Sequence, residues 1–287
     1  MRRLLQRAKR TSRHQPTSPS TIDLDWRTVP SDRVAEHPDL LSDLLAGRMD
    51  GVTVTGVLTP DEASRAVGAI PDSAWEEHFI GRIIGMAIGM EGEDDRSAYL
   101  ADTERARSVY RMAFGFDPHE RLQEVLAPAS GGIPLIPAEE GGRDYNPGHL
   151  RYWEPGRSGL KAHVGNEFRR ELEETSMKHL LTTTSVKDHL SYFVVLQPPD
   201  VGGELSVYDL RWEQDDASGD ARVDLRDDSR FDEMPSLKLR PNAGDLILFR
   251  GGSQWHRVEP LVGKRARITY GGFCAWSIDR AAIHFWS

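Results

Sequence analysis

Three side chains in the C-terminal half of this 287-residue chain are of types that could do chemistry together. They are His163 in Lys161-Ala162-His163-Val164-Gly165, His256 in Trp255-His256-Arg257-Val258, and Arg267 in Arg267-Ile268-Thr269. A neutral imidazole ligates transition metals, and a guanidinium grips a carboxylate through two parallel hydrogen bonds. Each residue sits on or beside a run that reads as a strand. Singly, each has a blander reading, because a lone histidine in a strand is more often hydrogen-bonded than metal-bound. Their order and flanking residues give them weight as a set.

Mononuclear iron(II) oxygenases hold their metal with two histidines and one carboxylate on one face. In the 2-oxoglutarate branch the first histidine and the acid come as H-x-D/E, which period-two alternation points to one side of a strand. The second histidine comes much later, and an arginine soon after it takes the distal carboxylate of 2-oxoglutarate. This chain resembles that pattern, with His163 and His256 as expected metal ligands and one departure. Gly165 stands where the acid belongs, and glycine ligates nothing. Deleting the acid removes both its charge and its bulk. Iron(II) held by two imidazoles and dianionic 2-oxoglutarate then has room for a small anion, so Gly165 marks the expected halide position. Glu167 does not replace the acid, since four residues of extended chain span about 13 Å.

For 2-oxoglutarate the chain offers Arg267 with Thr269 (R-x-S/T), or Arg265, which matches the spacing of prolyl-hydroxylase-like members. Arg267 is the favoured choice. Arg151 either joins the co-substrate site or pairs with an acid. Ser191 is a candidate donor to an iron-bound oxygen, although a local backbone bond serves it equally well. Phe168, Tyr192 and Trp255 are candidates to line a substrate pocket, or else core aromatics. His149, His179, His189 and His284 lack comparable context and receive no role.

The elements that must position these residues are many short strands. Runs at 149–152, 160–164, 190–196, 204–210, 245–249 and 267–273 are apolar or alternating, with Gly- and Pro-rich turns between them. Such punctuation predicts a sandwich or jelly roll. The expected fold is mainly β, a double-stranded β-helix (cupin-like jelly roll) over 145–287 with a helical N-terminal part over 23–144. Helix is expected from about Pro38, from the capping box Thr59-Pro60-Asp61-Glu62, and over 97–127 with a break near Pro118. Residues 51–57 alternate as a strand. Residues 1–22 are basic and rich in Ser, Thr and Pro, which predicts a disordered tail. The charged, apolar-poor stretch 213–235 is a surface insertion or, in the sharper reading, a lid.

Composition excludes several function classes. The net charge of −9 opposes binding to a phosphate backbone. One cysteine, Cys274, precludes a disulfide framework or a cysteine zinc site and suits a cytoplasmic setting. No run reaches the length of a membrane span.

The likeness is closer than the oxygenase superfamily. His163-Val164-Gly165-Asn166-Glu167-Phe168, Leu190-Ser191-Tyr192-Phe193, Gly202-Gly203-Glu204-Leu205, Gly271-Gly272-Phe273 and the closing Phe285-Trp286-Ser287 resemble the freestanding aliphatic halogenases of hapalindole and welwitindolinone alkaloid biosynthesis. The similarity runs from about Pro38 to the end and is strong from Tyr145 onward. It implies a jelly roll, Fe(II), 2-oxoglutarate, O2 and chloride, and a ferryl-halide chemistry that chlorinates an unactivated sp3 C–H. It also implies a freestanding small-molecule substrate, with no carrier protein, membrane or nucleic acid as partner. Two other readings remain: a hydroxylase in which water replaces halide, and an inactive jelly-roll binding module.

Overall fold

The computed structural model describes residues 22–78, 81–88, 96–168, 172–173, 176–212 and 228–287. The expected basic tail and most of the expected lid lie outside them. Sixteen strands are described. The first seven are β1 (Trp26–Pro30), β2 (Gly51–Thr55), β3 (Glu76–His78), β4 (Gly81–Ile84), β5 (Leu135–Pro137), β6 (Glu139–Glu140) and β7 (Arg143–Asp144). The C-terminal half adds β8 (His149–Trp153), β9 (Leu160–His163), β10 (Leu190–Gln197), β11 (Leu205–Arg211) and β12 (Ser236–Leu239). It ends with β13 (Leu246–Phe249), β14 (Gln254–Val258), β15 (Arg267–Trp276) and β16 (Ile283–Trp286).

Two sheets face each other. The large one runs β1-β2-β13-β10-β15-β8-β4-β3, with β16 joined to β15 and β5 to β16; the small one runs β12-β11-β14-β9. Alternation divides each central strand between two environments. On β10, Phe193 turns inward to meet Leu205, Val207 and Val258 of the small sheet. Tyr192, Val194 and Leu196 turn outward under the helices. This is the expected jelly roll.

The N-terminal part is less helical than expected, because β1 to β4 extend both edges of the large sheet. Residue 144 is therefore no seam in the sheet. The helices α1 (Leu40–Leu45), α2 (Pro60–Ala69), α3 (Arg96–Phe114) and α4 (Pro118–Leu126) cover the outer face. Helix α2 starts where the sequence placed it. Thr59 accepts from the Glu62 amide, and the Glu62 carboxylate accepts from the Thr59 amide. Asp117 and Pro118 break the long helical run as expected, with the Asp117 carboxylate accepting from the His119 amide. Tyr99, Ala106, Tyr110 and Ala113 form the buried stripe of α3. Among the described residues no helix is long and apolar enough to cross a membrane.

Candidate active site

His163 ends β9 and His256 lies at the centre of β14, and the two are register partners. Their ring centroids are 4.3 Å apart and tilted by 52°. Each Nδ1 lies against a carbonyl two residues back on its own strand, Lys161 O at 2.7 Å and Gln254 O at 2.8 Å. A carbonyl only accepts, so each Nδ1 carries the hydrogen and each Nε2 the lone pair. That tautomer is the one metal-binding histidines adopt, with the outer nitrogen orienting the ring. Burial, and next the neighbouring His163 ring, hold His256 well below the usual histidine range. It is thereby kept in the neutral, ligating form. Among the described residues no third His, Cys, Asp or Glu completes a group able to hold a metal. The pair stands without a carboxylate.

The local path at Gly165 differs from the expected strand. β9 stops at His163, and Gly165–Phe168 form a tight 3-10 turn. Backbone bonds impose it: Gly165 N donates to Gly251 O and Asn166 N to Gly252 O, both at 2.8 Å. The Asn166 side chain and Asp188 exchange two further bonds, 2.7 and 2.9 Å. The extended-chain distance for Glu167 therefore does not apply, although Glu167 still joins no metal-holding group. Ser191 is inward-facing on β10, and its Oγ lies 2.0 Å from where a β-carbon on Gly251 would stand. It is packed on the Gly251-Gly252 turn that carries Gly165.

His189, which sequence reasoning left without a role, lies at this turn. A β-carbon on Gly165 would fall 2.3 Å from its Cε1 and 2.4 Å from its Nε2. The sequence signal was only its place at the foot of the Leu190 strand.

The cationic end of the site lies on β15 and β8, where Thr269 is the register partner of Arg151. Arg267 and Thr269 share the inward face with Arg151 by period two. Arg267 is 6% exposed, its guanidinium 4.9 Å from the Phe193 ring centroid and 5.8 Å from that of Trp153. Burial, and then repulsion by Arg151, bring its pKa down to about 9; burial brings Arg151 down to about 10. Arg151 donates to His149 Nε2 at 2.9 Å, while its own Nε and His149 Nδ1 have no partner among the described residues. Burying two cations side by side is costly unless an anion joins them. A cleft open to solvent, lined by Val195, Leu205, Asp200, Glu204 and Arg240, reaches Arg267. The paired guanidiniums of Arg267 and Arg151 suit a small dicarboxylate.

Other expected members are placed elsewhere. Arg265 is exposed on the turn before β15, where its amide donates to Asp200. Tyr192 takes the outer face of β10: its hydroxyl donates to Pro147 O, and its ring meets Phe285 edge-on at 5.4 Å. Trp255 follows the same rule. With His256 turned inward it must turn outward, and it packs on Phe231 at 5.3 Å. Neither aromatic lines the metal face. The Phe168 side chain lies outside the described residues.

Neutral imidazoles to take a divalent metal and guanidiniums with no carboxylate partner among the described residues, held inside a jelly roll, are what an iron(II)/2-oxoglutarate oxygenase requires. That is the class of this protein. Among solved structures the chain is similar to an N-substituted L-amino acid dioxygenase from Burkholderia ambifaria AMMD. That likeness has a TM-score of 0.52 and 15% identity, over 86% of this chain and 90% of the other. The same dioxygenase in complex with alpha-KG gives 0.53 and 14%, over 88% and 91%. At these identities the likeness is one of fold. The sequence has no match among curated proteins. Residues 24–287 match the family model described as "Carrier-protein-independent halogenase WelO5", and the chain belongs to that family. Membership of that halogenase family implies iron(II), 2-oxoglutarate, oxygen and chloride as its cofactors.

Proposed function

We propose that the protein chlorinates an unactivated sp3 carbon of a freestanding small molecule. The observation that carries this reading is Gly165, set beside a histidine pair that has no acid among the described residues, in a chain of a halogenase family. Bound iron(II), with 2-oxoglutarate and oxygen, supplies the oxidising power to break a C–H bond and, with chloride beside it, the halogen that replaces the hydrogen.

The chain's own residues supply position and environment. His163 and His256 hold the metal through Nε2, their rings aimed by the Lys161 and Gln254 carbonyls. Arg267 grips the distal carboxylate of 2-oxoglutarate, with Thr269 beside it and Arg151 adding positive charge. Gly165 leaves an anion position that no carboxylate among the described residues fills. Phe193, Phe249 and Val207 give the interior an apolar lining. The carrier-protein-independent family supports a free substrate rather than a tethered one.

The test is an anaerobic titration of the purified chain, loaded with iron(II) and 2-oxoglutarate, with chloride. The visible charge-transfer absorption of the iron–2-oxoglutarate chelate should shift and saturate with chloride. Turnover of hydrophobic small molecules, read by mass spectrometry, should then give chlorinated product. Hydroxylated product alone at saturating chloride would make the protein a hydroxylase. Failure to bind iron(II) at all would make it a binding module.

A further inference from the structure

We propose that His189 is the second half of the acid deletion at Gly165: its ring sets the size of the open ligand position and bars any side-chain carboxylate from it. This rests on the functional reading above, but its test is separate. The imidazole edge stands 2.3 to 2.4 Å from the place of a β-carbon on residue 165. A β-carbon there also approaches the Gly252 Cα at 3.2 Å, so even alanine requires the ring to move. Aspartate oxygens lie about 2.4 Å from their own β-carbon by covalent geometry. The ring thus occupies space that an acid at 165 would need.

The ring cannot easily swing aside. Its Nδ1 donates to Val186 O at 2.9 Å. Phe273 and Trp286 meet it edge-on at 4.9 and 5.8 Å. Its backbone is clamped as well. Gly252 N donates to His189 O at 2.9 Å, and a β-carbon on Gly252 would fall 2.5 Å from His189 N. Residue 189 therefore makes two glycines obligatory, Gly165 for its ring and Gly252 for its backbone.

His189 is 7% exposed, and its Nε2 has no hydrogen-bond partner among the described residues. Buried polar atoms are rarely left so. With the hydrogen on Nδ1, this Nε2 is an acceptor and offers no hydrogen bond to an anion, so the ring bounds the open position beside Gly165 by its bulk. His189 does not complete a metal-holding group with His163 and His256. It is a specificity-determining wall rather than a third ligand.

The test is an iron(II) titration, anaerobic and with 2-oxoglutarate, of the full chain and three variants: Gly165→Asp, His189→Ala and the double variant. In the presence of His189, Gly165→Asp should weaken iron(II) binding at least tenfold. In the His189→Ala background the same change should tighten it at least tenfold, because the acid then has room to ligate. Equal effects in both backgrounds overturn the proposal. A hundredfold loss from His189→Ala alone also overturns it, by making His189 a ligand. Gly165→Ala guards against misfolding: it should lower the melting temperature much more beside His189 than in His189→Ala, where only the 3.2 Å approach to the Gly252 Cα remains, and equal loss in both would defeat the steric argument. None of these readouts uses chloride. A wild-type chain blind to chloride would sink the halogenation reading and leave the wall intact.

Discussion

His163 and His256 face each other across β9 and β14 as register partners, with 4.3 Å between ring centroids. Replacing either with alanine leaves one imidazole where two are needed. Iron(II) affinity should fall at least about a hundredfold, more than the 10- to 100-fold typical of losing an outer-shell partner. Calorimetric titration of the apo chain checks this, and an affinity change under threefold for either variant would remove that residue from the centre.

The two guanidiniums should separate cleanly from their exposed neighbour. Arg267→Gln removes the buried cation at the end of the cleft, and 2-oxoglutarate binding should weaken about a hundredfold, in line with losing a buried charged contact. Arg151→Gln should weaken it about tenfold, since removing one cation also relieves the burden on the other. Arg265→Gln, on its surface turn, should change it less than twofold. Equilibrium binding of 2-oxoglutarate to the iron-loaded chain ranks the three, and an Arg265 effect as large as that of Arg267 would reverse the assignment.

Tyr192 belongs to the core between sheet and helices, so Tyr192→Phe should act on stability alone. The Pro147 carbonyl loses a buried donor, at a cost of about 1–3 kcal/mol. Urea unfolding should show that loss, with 2-oxoglutarate and iron(II) binding unchanged. A binding defect without a stability change would move Tyr192 back to the site.

Acid should destabilise the apo protein through its buried histidines. Burial lowers His119 and His189 to about 4 and holds His149 and His256 well below the usual histidine range. A histidine in the unfolded chain takes up its proton near pH 6.5. These groups stay neutral in the folded state over that range, so they contribute stability above about pH 6.5 that is lost as pH falls toward 4. The urea midpoint should drop between pH 7 and pH 5. His119 packs on Phe285 at 4.9 Å with neither ring nitrogen bonded among the described residues. His119→Leu should therefore soften the acid loss, and an unchanged pH slope would rule His119 out as a contributor.

The strand runs, the capping box at Thr59, the break at Pro118 and the order His163, Gly165, His256, Arg267 were all legible in the sequence. Each is a local property: periodicity, a turn residue or a short motif acts within a few residues of itself. Distance across the fold decided the rest. Arg265 and Arg267 look alike in the chain, and only the start of β15 makes one a surface residue and the other a buried cation. Tyr192 and Trp255 had the right type but the wrong parity, because inward-facing Phe193 and His256 on their strands force them outward. His189 carried only the weak signal of preceding the Leu190 strand, since its contact is with Gly165, 24 positions earlier. Side-chain chemistry is written residue by residue, but which side chains share a space is set by how two sheets close on each other.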